Sequence, residues 1–321
     1  MKKAFSLKSV SAALIVGLAA LVSCSKNGDT VLSATNSTNV NSESAADSYT
    51  NETADISNSV TTNAGNNVLG GAREESVIIP ASVLKRWDKR LACATVTINR
   101  TGNKLKPSGT ITITWDGNST CADTTGVKRS GTIVITYNGY WFVAGSTRTI
   151  TYQNYTRGGI QINGSYTRKS LTTLSASDTS ASTLTIQFRD SLSGGHVTFA
   201  NGKSITRNKT VTVEWDVQKG ASGYLPVDFK HLTGGSANGT LENGSTYTMS
   251  ITKDIVYTEA CLLQKNFTPV SGSKTIVISP FGGGSTTTVM IDYGSGQCND
   301  NKATVTINGK SETITVKGDG G

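Results

Sequence analysis

The chain has 321 residues, of which 36% are hydrophobic and 16% charged, with 34 glycines and a net charge of +8. A surplus of Thr, Val, Ile, Gly and Asn over Leu and Glu favours strands and tight turns and excludes helical bundles, coiled coils and nucleotide-binding α/β folds. Two histidines and five cysteines leave little material for a metal cluster or a histidine-based catalytic site, and the sequence calls for no cofactor.

In chain order, Lys2, Lys3 and Lys8 precede an apolar run, Val10 to Val22, broken only by Ser11 and Gly17. A spanning helix needs roughly 20 apolar residues, so residues 1–23 read as an export signal. The run ends Leu21-Val22-Ser23-Cys24, which looks like a bacterial lipobox with Cys24 as the lipidated residue. Two or three acyl chains on one cysteine hold a protein at a membrane without spanning it. The expected location is therefore the cell envelope, at the outer membrane.

Residues 24–72 read as a disordered tether: from Ser25 to Gly70, 24 of 46 positions are Ser, Thr or Asn, with Tyr49 the one aromatic. Such a tract buries too little apolar surface to offset its ordering entropy. It carries Lys26 against Asp29, Glu43, Asp47, Glu52 and Asp55, a net of −4, whereas residues 71–321 hold 26 Lys plus Arg against 17 Asp plus Glu, a net of +9. The basic charges are scattered and no nucleic-acid motif accompanies them. Acidic glycans or anionic headgroups fit that excess better.

Ser82 to Leu91 is a short helix or a first strand. From Cys93 onward the period is two, in the segments at 95–98, 110–115, 132–137, 183–188, 210–215 and 304–307. Asn-Gly pairs at 138–139, 163–164, 201–202, 238–239, 243–244 and 308–309 supply the positive φ that two-residue hairpin turns require. The expected fold is all-β and antiparallel: two hairpin-built, sandwich-like domains at 73–180 and 181–321, or alternatively one extended multi-hairpin sheet.

An internal repeat relates Ile111–Asp123 to Val289–Asp300, each with a further cysteine upstream, Cys93 and Cys261. With Cys24 lipidated, four cysteines remain for oxidation in an exported chain. Of three connectivities, the repeat favours Cys93–Cys121 and Cys261–Cys298. Zinc is the competing reading, but the spacings are long and no histidine is near.

At the lipobox, Cys93, Thr110–Asp123, Lys128–Gly139, Val197–Lys203, Ile291–Cys298 and Val305–Gly309, the sequence resembles a functionally uncharacterised group of Bacteroidota lipoproteins. The resemblance covers nearly all of residues 90–321. It implies an exported all-β lipoprotein and assigns no activity.

No catalytic motif stands in the sequence. Glycosidase chemistry needs only two carboxylates, for which Asp116, Asp123, Glu214, Asp216 and Asp292 are candidates. Their alternative roles are turn capping, strand-face charge or pairing with Arg129. Asp116-Gly-Asn118-Ser-Thr120 begins like a calcium loop but lacks the glycine at its sixth place and the glutamate at its twelfth. The candidate ligand-binding group is Tyr140, Trp141 and Phe142 with Lys128, Arg129 and Arg148, a stacking platform with nearby cations. The sequence thus points to a non-catalytic envelope module with a glycan or envelope-protein partner. A carboxylate-pair enzyme and an accessory subunit of an outer-membrane complex are the alternatives.

Overall fold

A computed structural model of the chain describes residues 34–69, 75–103, 106–117, 122–123, 126–140, 143–173, 183–220, 223–258, 261, 269–298 and 302–315. It opens with a long helix, α1 (Ala34–Leu69), then β1 (Glu75–Ile79), a short helix α2 (Ala81–Trp87) and a 3-10 turn at Lys89–Leu91. Thirteen further strands follow: β2 (Ala94–Arg100), β3 (Ser108–Asp116), β4 (Arg129–Asn138), β5 (Thr147–Arg157), β6 (Ile160–Ser170), β7 (Thr183–Thr198) and β8 (Ser204–Gly220). The rest are β9 (Gly223–Thr240), β10 (Thr246–Thr258), β11 (Ser271–Ser279), β12 (Thr287–Ser295), β13 (Lys302–Ile307) and β14 (Lys310–Thr315). All fourteen form one antiparallel sheet in sequence order that is not closed. Of the two expected all-β arrangements, the protein adopts the extended multi-hairpin sheet.

The period-two segments fall inside β2, β3, β4, β7, β8 and β13, and their alternation sorts residues onto two faces. An inward register row runs Ile98, Ile111, Ile135, Ile150 across β2–β5 and continues through Met249, Ile276, Val289 and Ile307 across β10–β13. Segment 82–91 is helical, and it seals this end of the core with Leu84 and Leu91, both fully buried.

The Asn-Gly pairs divide. Asn308-Gly309 is a two-residue turn with φ of 51° and 75°, as a type I′ hairpin requires. Pairs 201–202 and 243–244 lie in short turns closed by the Phe199 N–H to Lys203 carbonyl bond (2.9 Å) and the Leu241 N–H to Ser245 carbonyl bond (2.8 Å). Pairs 163–164 and 238–239, expected as turns, lie inside β6 and β9, and 138–139 opens a longer loop. Within strands the glycines permit bulges. At Gly131 (φ +81°) an added Cβ would sit 2.2 Å from the Asn154 carbonyl oxygen, at a register shift between β4 and β5. Such bulges bend strands and increase twist, which curls the sheet.

Two expectations need correction. Residues 34–69, read as part of a tether, are a helix with Asn39, Val40, Glu43, Ala46, Glu52, Thr53, Ile56 and Val60 all buried. Sequence reasoning failed there because the helix has no apolar stripe, and its helicity is imposed by the sheet around it. Nor does the chain divide at 180: β6 and β7 pair from Gln161↔Thr198 to Ser170↔Phe188 within one unit, Val31–Gly321. What does divide is the interior. One apolar cluster joins the second half of α1 to β1–β6, another joins its first half to β7–β14, and Tyr49 packs against both.

Candidate functional site

A buried helix rich in Ser and Thr must satisfy its hydroxyls without water. Here they bond back along the helix: Thr50 donates to the Ala46 carbonyl (2.9 Å), Ser57 to Thr53 (2.8 Å) and Thr61 to Ser57 (2.9 Å). Such i−4 bonds are available to Ser and Thr in any helix, and in a dry interior they replace hydration. Thr53 also hydrogen-bonds the Tyr152 hydroxyl at 2.7 Å.

The acids of α1 reach the sheet on two sides. At 3.6 residues per turn, Glu43 and Asp47 share a face and Glu52 points to about the opposite one. Glu43 meets Arg207 (3.2 Å) and Lys274 (2.7 Å), and Asp47 meets Arg207 (3.1 Å) and Lys209 (2.5 Å). Across the helix, Glu52 pairs with Arg129 and Arg157, and Arg129 also pairs with Asp123. Cations from β4, β5, β8 and β11 therefore surround one helix, which places α1 within the curl of the sheet. Burial pushes the Asp47 carboxyl upward, but the fields of Arg207, Lys209 and Lys274 outweigh it and hold the carboxyl well below the usual range. Burial presses the Lys274 ammonium down, and Glu43, Tyr293 and Asp47 together more than reverse that.

A further pair belongs to the sheet alone. Arg168 makes two 2.7 Å bonds to Asp190, and its guanidinium lies 5.1 Å from the Phe188 ring centre and 4.9 Å from that of Trp215. Burial, with the charge of Arg168 added to it, lowers the neighbouring Arg148 guanidinium to about 10.

The outer face carries different chemistry. One register row crosses every strand, from Ser76 on β1 through Thr110, Thr136, Thr149 and Thr167 to Thr306 and Ser311 on β13 and β14. Twelve of its fourteen members are Ser or Thr, the exceptions being Asn99 and Met290, and none is buried. Neighbours in the row hydrogen-bond, Thr149 to Thr167 at 3.0 Å and Thr306 to Ser311 at 2.7 Å. Strands are spaced about 4.8 Å apart, so the row is a ladder of hydroxyls at that repeat. Beside it, across β8–β11, Thr206, Asn208, Asn238, Thr248 and Ser279 line a shallow depression.

The sequence-derived candidates scatter over this architecture. Arg129 and Arg148 are inward-facing and 5% and 7% exposed, so neither is a cation for a surface ligand, a correction to the expected platform. Inward-facing register positions in β4 and β5 account for both. Lys128 is exposed and Tyr140 half-buried, while Trp141 and Phe142 lie outside the described residues. Of the carboxylate candidates, Asp123, Glu214, Asp216 and Asp292 are engaged locally. Asp123 pairs with Arg129 and accepts from the Val127 N–H (3.0 Å), and Asp292 accepts from the Gly294 N–H (2.7 Å). Glu214 accepts from Gln187 (2.6 Å), and Asp216 from Thr185 (2.8 Å).

Cys261 and Cys298 form the expected disulfide, with Cα atoms 5.6 Å apart. Cys93 is disulfide-bonded too, but Cys121 lies outside the described residues, as does Cys24. Among the described residues no group of three or more His, Cys, Asp or Glu could hold a metal ion, and no helix is long and apolar enough to cross a membrane. The buried ion-pair array was missed from the sequence, although the opposed charges of residues 24–72 and 71–321 were its signal. No protein-family profile, curated protein or solved structure matches the chain.

Proposed function

We propose that this is an exported envelope lipoprotein, anchored through Cys24, whose sheet is a non-catalytic scaffold that binds polysaccharide on its outer face. The observation that carries this reading is the separation of chemistry between the faces. Inward charges are engaged with one another, and the outer face offers ordered hydroxyls that both donate and accept hydrogen bonds. Hydroxyl-rich polymers match such a face better than acidic ligands do, because Arg129 and Arg148 are not on it. The engaged carboxylates support binding over hydrolysis.

The test is retention of the full chain on a glycan array, with Thr110, Thr136 and Thr149 together replaced by Val for comparison. The expected result is saturable binding of neutral glycans that the Val variant loses while its fold persists. Release of a hydrolysed glycan product, or equal binding by the Val variant, would overturn it.

A further inference from the structure

The contacts of α1 differ in kind from those of the strands. Every strand is fixed to its neighbours by a backbone ladder, whereas α1 is held to the sheet chiefly through side chains, its own and those of the strands. Among its described side chains the buried apolar residues are few and mostly small: Val40, Ala46, Ala54, Ile56, Val60 and Ala64. Its sequence, over half Ser, Thr and Asn, has little intrinsic helical preference. The sheet, by contrast, needs what α1 supplies, since Arg207 and Lys274 are buried, Lys209 is half-buried, and their acidic partners come from Glu43 and Asp47.

From this asymmetry we infer that the curl of the sheet is a docking groove for an acidic helix, with α1 as its intramolecular occupant and the α1 of a second copy as its exchange partner. The complementarity is specific. The groove presents Arg207, Lys209 and Lys274 on one side and Arg129 and Arg157 on the other. An occupant must carry acids at positions i, i+4 and i+9, a span of about 13 Å along a helix. The helix of another copy meets that demand by definition, and exchange of one terminal element between identical chains is a low-cost route to association. On the proposed reading of a Cys24 anchor, tethering many copies at one surface would raise their effective concentration and favour the exchange.

The experiment uses the full chain carrying Glu43→Gln, Asp47→Asn and Glu52→Gln, titrated with a fluorescent peptide of residues 34–69. The neutralised chain is expected to bind the wild-type peptide at least about ten-fold more tightly than the wild-type chain does. A peptide bearing the same three substitutions is expected to bind neither, and added salt to weaken the binding seen. A folded variant that ignores the wild-type peptide, or binds both peptides equally, would overturn the inference. Should the variant fail to fold, hydrogen exchange of the wild-type chain decides. Amides of α1 opening separately from β3 and β4, and faster in high salt, would support exchange; opening in one unit with those strands would overturn it.

Discussion

The two halves of the interior neutralise their cations in different ways. Around β1–β6, Arg129 holds both Glu52 of the helix and Asp123, a carboxylate from its own loop. Around β7–β14, Arg207, Lys209 and Lys274 take their carboxylates from Glu43 and Asp47 of α1. In the first half Arg129 keeps a local partner when the helix is disturbed. The second depends on a segment more than 160 residues away in sequence. Removing one member of a buried pair is far more damaging than never having built it, so the same helix is tolerant at one end and critical at the other.

The largest expected effect follows directly. Glu43→Gln takes from the buried Lys274 its ion-pair partner, leaves Arg207 to Asp47 alone, and should destabilise the fold by about 3–5 kcal/mol. Glu52→Gln should cost less, about 1.5–3 kcal/mol, the range of a hydrogen bond to a charged group, because Asp123 remains on Arg129 and Arg157 keeps the Tyr49 ring 5.1 Å from its guanidinium. Denaturant unfolding of both variants checks the order, and equal losses would erase the distinction between the halves.

Acid should act on the second half in the same direction. The Asp47 carboxyl is held below its ordinary value in the folded chain, so the unfolded chain binds its proton more readily. Its contribution is complete above the unfolded carboxylate value of about 3.9 and is lost as pH falls below that towards the folded value. Melting temperatures followed from pH 6 to 2 should therefore fall, and Asp47→Asn should flatten that fall. A variant with an unchanged slope would remove Asp47 from the account.

The smallest effect belongs to the outer face. Thr149→Ala deletes one cross-strand hydroxyl contact at the surface and should change stability by less than about 1 kcal/mol. A larger loss in the same unfolding assay would make the ladder a structural device in place of a presented surface.

Most strands were legible because Thr-Ile-Thr-Ile patterns read the same whether a sheet is flat or curled. The helix was not, since Asn, Ser and Thr carry no 3.6-residue apolar period and favour loops in isolation. Its legible trace was electrostatic. Five acids in the N-terminal tract opposed a basic body, and reading each as a separate solvated region hid their pairing. The turns show the same limit: Asn308-Gly309 obeys local chemistry, whereas Asn163-Gly164 is overruled by strands continuing on both sides. The outer ladder needed register, which no single strand encodes.

The ion pairs of α1 also impose an order on how the chain comes together. Glu52 meets Arg129 77 residues later, Asp47 meets Lys209 162 residues later, and Glu43 meets Lys274 231 residues later. These intervals are nested, so the sheet can close over the helix progressively as strands arrive, without any segment threading through another. Loop-closure entropy makes the outermost pair only about 1 kcal/mol harder to bring together than the innermost. The delay is in time: Glu43 is made first of the three acids, meets Arg207 only when β8 arrives, and gains Lys274 only with the eleventh strand. A chain exported from its N-terminus would carry this unmatched charge through most of its emergence, and a nascent chain cut short before β11 would lack the lysine that meets Glu43.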